Sequence, residues 1–162
     1  SKEGDKFRIY AQNFTLERLT HLANFHLKQL NPRYCIQKVD KKETLELEVM
    51  DMYQANHRRS IKTLSGGEKF LISLALALGL AELAGKNTYI ESLFIDEGFG
   101  TLDSNTLDIA ISALETLQMG GKLIGIISHV DALKERITTQ VQVVKSGGGI
   151  SRLKILSNGL EL

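Results

Sequence analysis

Apolar residues in the stretch 14–30 fall at Leu16, Leu19, Leu22, Ala23, Leu27 and Leu30, the three-and-four spacing of a helix with one buried stripe. Asn31-Pro32 predicts its end, because proline cannot continue a helix and disfavours helical backbone just before it. Over residues 34–39 and 45–53 the period changes to two, and Leu45-Glu46-Leu47-Glu48-Val49 alternates as a strand does when one face of its sheet is wet. The polar run Asp40-Lys41-Lys42-Glu43 predicts the turn between them. Residues 54–62 are polar and basic and read as a loop. Beyond Ser65, the residues Phe70, Leu71, Leu74, Ala75, Leu78, Leu80 and Leu83 make a helix that is apolar on nearly every side and stops near Gly85. Such a helix is expected to be buried between other elements.

Leu93-Phe94-Ile95 and residues 122–127 are short continuous apolar runs, the pattern of strands covered on both faces of a parallel sheet. Between them residues 104–118 form an amphipathic helix with Leu107, Ile111, Leu114 and Leu117 inward, ended by Gly120-Gly121. Strand, helix and strand of this length predict a right-handed parallel crossover, which brings the ends of both strands to one edge of the sheet. A short helix over 130–137 follows, then a hairpin of 140–145 with 151–156 across Gly147-Gly148-Gly149. The expected fold class is α/β: a largely parallel sheet flanked by helices, with a terminal β-hairpin.

A chain of 162 residues suits one domain with a substantial core, and 43% hydrophobic residues excludes a disordered segment. With 20 basic and 19 acidic side chains the net charge is +1, so no global field marks a nucleic-acid binder. Acidic groups gather at Glu91, Asp96, Glu97, Asp103 and Asp108, and basic ones at Arg58, Arg59 and Lys62 and again over 134–154. Those basic runs read as solvated surface or as a face toward DNA. The lone Cys35 excludes an internal disulfide and a zinc site, and reads as a small buried apolar group. His21 and His26 read as surface or packing residues of the first helix, and His57 as exposed. No apolar run is long enough to span a bilayer and no signal peptide is evident, so a cytoplasmic protein is expected. Starting on Ser1 without an initiator methionine, the chain reads as a processed or excised piece.

Two stretches carry chemistry. In Thr63-Leu64-Ser65-Gly66-Gly67-Glu68, Ser65 and Glu68 have the spacing of a capping box at a helix start. A helix start also suits an anion, which meets unpartnered N–H groups and a partial positive charge. The glycines Gly66 and Gly67 cost roughly 1 kcal/mol each in helix propensity, and structure alone gives little reason to accept that. Removing side chains where a phosphate approaches does give one. A plain cap and an anion site both remain open on these residues. In Ser92-Leu93-Phe94-Ile95-Asp96-Glu97 an apolar strand ends in two carboxylates. A strand end faces the ligand crevice in open α/β sheets, so Asp96 suits Mg²⁺ and Glu97 suits the orientation or deprotonation of a water. The alternative is a solvated turn. Ser128-His129 follows the next apolar strand and stands at the same predicted sheet edge.

Leu64-Ser65-Gly66-Gly67-Glu68 resembles the signature motif of ABC-type ATPases, and Leu93-Phe94-Ile95-Asp96-Glu97 with Gly100-Thr101-Leu102-Asp103 resembles their Walker B motif and D-loop. Ser128-His129 matches their switch histidine. The form Asp96-Glu97-Gly98-Phe99-Gly100-Thr101-Leu102-Asp103 resembles the SMC-related SbcC branch, which acts in DNA repair; transporter ATPases usually carry proline where Gly98 stands. The likeness runs over nearly the whole chain.

The resemblance implies a carboxy-terminal lobe of an ABC-type ATPase head over residues 1–162, with 1–8 as the end of a coiled-coil arm. The glycine-rich loop with Gly-Lys-Ser or Gly-Lys-Thr is absent from the sequence, and Gly147-Gly148-Gly149 is no substitute, since no lysine and hydroxyl residue follow at the required spacing. An amino-terminal lobe would therefore supply it, and this lobe alone would turn over ATP poorly or not at all. Implied roles follow. Ser65, Gly66, Gly67 and Glu68 form the surface for the γ-phosphate of ATP held by a second head, and Asp103 sets the dimer contact. Asp96 holds Mg²⁺ through water, Glu97 polarises the attacking water, and His129 contacts the γ-phosphate on its own side. Implied partners are the amino-terminal lobe, a second head, an SbcD-type metallophosphoesterase nuclease and DNA, with no membrane. A structural SMC-like DNA clamp with slow switch-type turnover and a transporter ATPase component are the competing expectations.

Overall fold

The computed structural model describes residues 2–39, 45–84 and 92–162, with side chains from residue 7 onward in the first stretch. The chain divides into two compact units, Ser1–Ile127 and Ser128–Leu162. In the first, helix α1 (Lys2–Leu30) begins well before residue 14, where the apolar stripe starts. Its early part has no stripe because it faces no core: Phe7, Tyr10 and Phe14 are all exposed. Helix α2 (Gly66–Ala84) packs along α1. Ala23, Leu27, Ala75 and Leu78 are fully covered there, and Gly79 is required by the close approach, since a Cβ on it would lie 2.7 Å from the Ala23 nitrogen. Burial of α2 is not complete, for Leu80 stays half exposed.

Strands β1 (Tyr34–Lys38), β2 (Leu47–Asp51) and β3 (His57–Ser60) form an antiparallel sheet in that order. Tyr34 opposes Asp51 and Ile36 opposes Val49, and all four are buried on the face toward the helices. The Asn24 side chain grips the outer edge of β1, accepting from the Ile36 N–H at 2.7 Å and donating to its carbonyl at 2.8 Å. β3 replaces the loop expected over 54–62. Its residues His57-Arg58-Arg59-Ser60 carry no apolar alternation, and they pair with β2 because Ala55 and Asn56, both at positive φ, reverse the chain. The turn expected at 40–43 and the helix stop at Gly85 lie outside the described residues.

Strand β4 (Ser92–Asp96) pairs in parallel with β5 (Leu123–Ile127), and α3 (Ser104–Met119) connects them, as the apolar pattern predicts. The sheet is nevertheless not largely parallel among the described residues, where β4–β5 is the one parallel pair. Parallel pairing needs a crossover of a dozen residues or so, and α3 provides it, whereas the connection from β2 to β3 is a short reversal.

In the second unit, α4 (Asp131–Arg136) precedes β6 (Thr139–Gly147), β7 (Ile150–Ser157) and β8 (Leu160–Glu161), an antiparallel sheet in that order. The expected hairpin is present, with Gly147, Gly148 and Gly149 all at positive φ in its turn. The additional strand β8 follows a second reversal at Asn158-Gly159.

Candidate functional site

The start of α2 is built around a reciprocal cap. The Ser65 N–H donates to Glu68 Oε2 at 2.8 Å, and the Glu68 N–H donates to Ser65 Oγ at 3.3 Å. The other carboxylate oxygen, Glu68 Oε1, accepts a hydrogen bond from the Tyr34 hydroxyl. That hydroxyl, followed by the Ser65 donors, holds the Glu68 carboxyl below its ordinary range against the opposing effect of burial. Burial, and then the same bond to Glu68, push Tyr34 up to about 12. Glu68 is thus engaged within the fold on both oxygens, and its direct effect is to fix the backbone of the turn.

Beneath this start lies the tight turn Phe99–Thr101. A Cβ on Gly67 would stand 2.9 Å from the Thr101 carbonyl oxygen, so packing does demand glycine at 67, contrary to what helix propensity alone suggests. Gly66 differs: a Cβ there would make only ordinary contact with Thr101 at 3.4 Å. The signature-like turn and the turn after the acidic strand are therefore packed on each other.

Asp96 ends β4 opposite Ile127, and the Glu97 N–H continues the pairing by donating to the Ile127 carbonyl at 2.9 Å. Both carboxylates are exposed. Glu97 sits at φ +60° and Gly98 at +99°, two consecutive left-handed residues. Proline, with φ locked near −65°, could not replace Gly98. Among the described residues no three His, Cys, Asp or Glu side chains gather into a metal cage. The exposed Asp96–Glu97 pair nevertheless fits Mg²⁺, which takes one or two carboxylates beside water and phosphate oxygens. Asp103 caps α3: Oδ1 accepts from the Thr106 N–H at 3.0 Å and Oδ2 from the Thr106 hydroxyl at 2.6 Å, which together hold its carboxyl low.

His129 is exposed and belongs to the second unit, two residues along the chain from Ile127. Within that unit Ser128 Oγ accepts from the Val130 N–H at 3.2 Å. The basic cluster before α2 is largely engaged in the fold. Arg58 pairs with Glu48 at 3.1 Å, and Arg59 reaches Asp51 at 3.8 Å and the Thr63 carbonyl at 3.2 Å. Asp51, fully buried, also accepts from Arg33 at 2.6 Å, and that bond holds its carboxyl low. The contributions of Tyr34 and of the Arg33–Asp51–Arg59 group had no signal in the sequence, because they depend on strand register rather than on spacing.

A family model for the SbcC/RAD50-like Walker B motif matches residues 36–116, half of the chain. The chain belongs to the SbcC/RAD50-like family. Curated relatives agree with that membership. The SbcC component of the SbcCD nuclease from Rhodobacter capsulatus is 48% identical over 160 residues, covering 99% of this chain and 13% of that protein. The same component from Pseudomonas aeruginosa is 49% identical over 156 residues, covering 96% of this chain and again 13% of that protein. This SbcC/RAD50-like chain thus spans about an eighth of the length of these relatives. Its fold is similar to that of a chain from a structural study of ATP-driven dimerization and DNA-stimulated activation of SMC ATPases, with a TM-score of 0.69 at 18% identity. That likeness covers 91% of this chain and 90% of the other. Among the described residues no helix is long and apolar enough to cross a membrane.

Proposed function

We propose that this chain is the carboxy-terminal half of an SbcC-type ATPase head, and that it contributes one side of each of two composite ATP sites. The observation that carries this reading is the packing of the capped turn at Ser65 directly onto the turn that follows the acidic strand, through Gly67 and Thr101. Both pieces of phosphate chemistry are then in direct contact with each other. The half-site character is supported by the apolar side chains left exposed on the parallel pair, Phe94 at 67%, Leu123 at 63% and Ile127 at 57%. Parallel strands are ordinarily covered on both faces, and a phosphate-loop lobe is the cover we propose.

In this reading the Ser65 hydroxyl and the Gly66 and Gly67 amides receive the γ-phosphate of ATP bound to the phosphate loop of a second head, at the positive end of α2. Asp96 would hold Mg²⁺, which when bound would supply charge neutralisation on the phosphates. Glu97 orients and polarises the attacking water. His129 donates to the γ-phosphate within its own head, and Asp103, while capping α3, lies at the contact between heads. Catalysis is then assembled by association of two heads, through positioning and electrostatics. The name of the relatives, a component of the SbcCD nuclease, supports a nuclease as partner; DNA is the molecule whose access to it we propose the heads control.

The test is hydrolysis by the head reconstituted from this chain and a phosphate-loop lobe. Glu97→Gln is expected to keep ATP binding and to lower turnover by about 100-fold or more. Parental turnover in that variant would remove Glu97 from its role.

A further inference from the structure

The acidic pair stands on strained backbone. Glu97 at φ +60° occupies a region that a glutamate disfavours, and Gly98 at +99° extends the left-handed conformation. Such a conformation persists only where its surroundings impose it. On one side the imposing contact is β5, through the hydrogen bond from the Glu97 N–H to the Ile127 carbonyl at 2.9 Å. On the other side it is the ring of Phe70. A Cβ at Gly98 would fall 2.2 Å from Phe70 Cδ2 and 2.5 Å from Cε2, so the ring lies flush against the Gly98 backbone. The ring is itself fixed, packing edge-on against Phe99 with centroids 4.7 Å apart, and Phe99 is fully buried.

We infer that Phe70 is a positioning residue for Glu97, coupling the start of α2 to the carboxylate that handles the attacking water; this rests on the hydrolytic role proposed above for Glu97. Phe70 stands five positions after Ser65, on the helix that Ser65 caps. When a γ-phosphate docks at Ser65 and draws α2 toward it, the ring is carried along and bears on Gly98. The Glu97 backbone has few alternatives while the ring is in place and several without it. An engaged signature turn therefore favours the water-polarising position of Glu97, and the same head cannot hold that position well when α2 is displaced. Because the Phe70 ring offers no polar group to a phosphate or to the attacking water, its loss acts on turnover at saturating ATP and not on nucleotide affinity.

The test uses the complete head, this chain together with its phosphate-loop lobe. Phe70→Leu, which keeps an apolar side chain but loses the flat ring, is expected to lower kcat about tenfold. The KM for ATP and ATP-driven head dimerisation should stay within about twofold of parental values. Phe70→Tyr should restore parental kcat, and amide exchange at Glu97 should quicken in the leucine variant only. If Phe70→Leu does not fold, Phe70→Met carries the same expectations. A parental kcat in the leucine or methionine variant overturns the inference, as does a fall in dimerisation proportionate to the fall in kcat. Glu97→Gln separates the two levels. A fully active Glu97→Gln removes the underlying role of Glu97, whereas an inactive one beside a fully active Phe70→Leu removes only the coupling.

Discussion

Replacing Tyr34 with phenylalanine deletes one oxygen from a site where its consequence can be worked out. Tyr34 is 4% exposed, and its hydroxyl donates to Glu68 Oε1 while Ser65 occupies Oε2. A hydrogen bond to a charged group contributes about 1.5–3 kcal/mol net. Glu68 keeps its Ser65 bond and some contact with water in the variant, so a loss of about 2 kcal/mol is expected. The pH dependence is more specific than the magnitude. Glu68 is more acidic in the fold than its ordinary 4.5, so its stabilisation is full above the unfolded value and is lost as pH falls through the lower folded one. Tyr34 moves oppositely: its pKa rises from 10.0 to about 12, so its stabilisation is intact below pH 10 and is lost as pH climbs toward 12. Part of each shift is the same hydrogen bond seen from either end, so the two are not added. Urea denaturation of the parent and of Tyr34→Phe between pH 3 and pH 11.5 measures both limbs. The variant should be weaker at neutral pH, with a shallower acid limb and a largely flattened alkaline one. A neutral-pH difference under about 0.5 kcal/mol, or an alkaline limb of undiminished slope, would refute the reasoning.

Gly98→Ala combines a φ of +99° with a clash against Phe70, and should destabilise the chain by more than about 1 kcal/mol; an unchanged urea midpoint would mean that the ring can move aside freely. Ser65→Arg removes the hydroxyl of the capping box, at a cost of about 1 kcal/mol, and fills the surface offered to a phosphate. Nucleotide binding by the phosphate-loop lobe should persist while ATP-driven dimerisation, followed by light scattering, is lost. Dimerisation at the parental level would place the cross-head contact elsewhere.

Features tied to spacing along the chain were legible in the sequence, and features tied to register were not. The reciprocal bonds of Ser65 and Glu68 follow from a three-residue interval on a helix, and the β4–α3–β5 crossover from two apolar runs separated by an amphipathic one. β3 went unseen because His57-Arg58-Arg59-Ser60 is an edge strand whose polar side chains find partners at Glu48, Asp51 and Thr63 instead of in an apolar core. The apolar runs predict more parallel pairing than the described residues show, because such a run marks a covered strand without fixing which strands lie beside it. Gly67 and Gly98 illustrate a further limit. In sequence Gly67 signals room for a phosphate, and Gly98 a departure from the proline usual in transporter ATPases; in the fold each is also dictated by a neighbour, the Thr101 carbonyl in one case and the Phe70 ring in the other. Tyr34 gave no sign at all, because its partner lies 34 residues away across the β1–α2 packing.

The central proposition is that this chain supplies half of a composite site. Steady-state ATP hydrolysis, measured on the purified chain alone and then with a phosphate-loop lobe added in increasing amounts, tests it most directly. Negligible turnover by the chain alone and a saturable rise with added lobe, absent for Glu97→Gln, is the expected result. Brisk hydrolysis by the chain alone, or no rise with a lobe that binds both the chain and ATP, would contradict it.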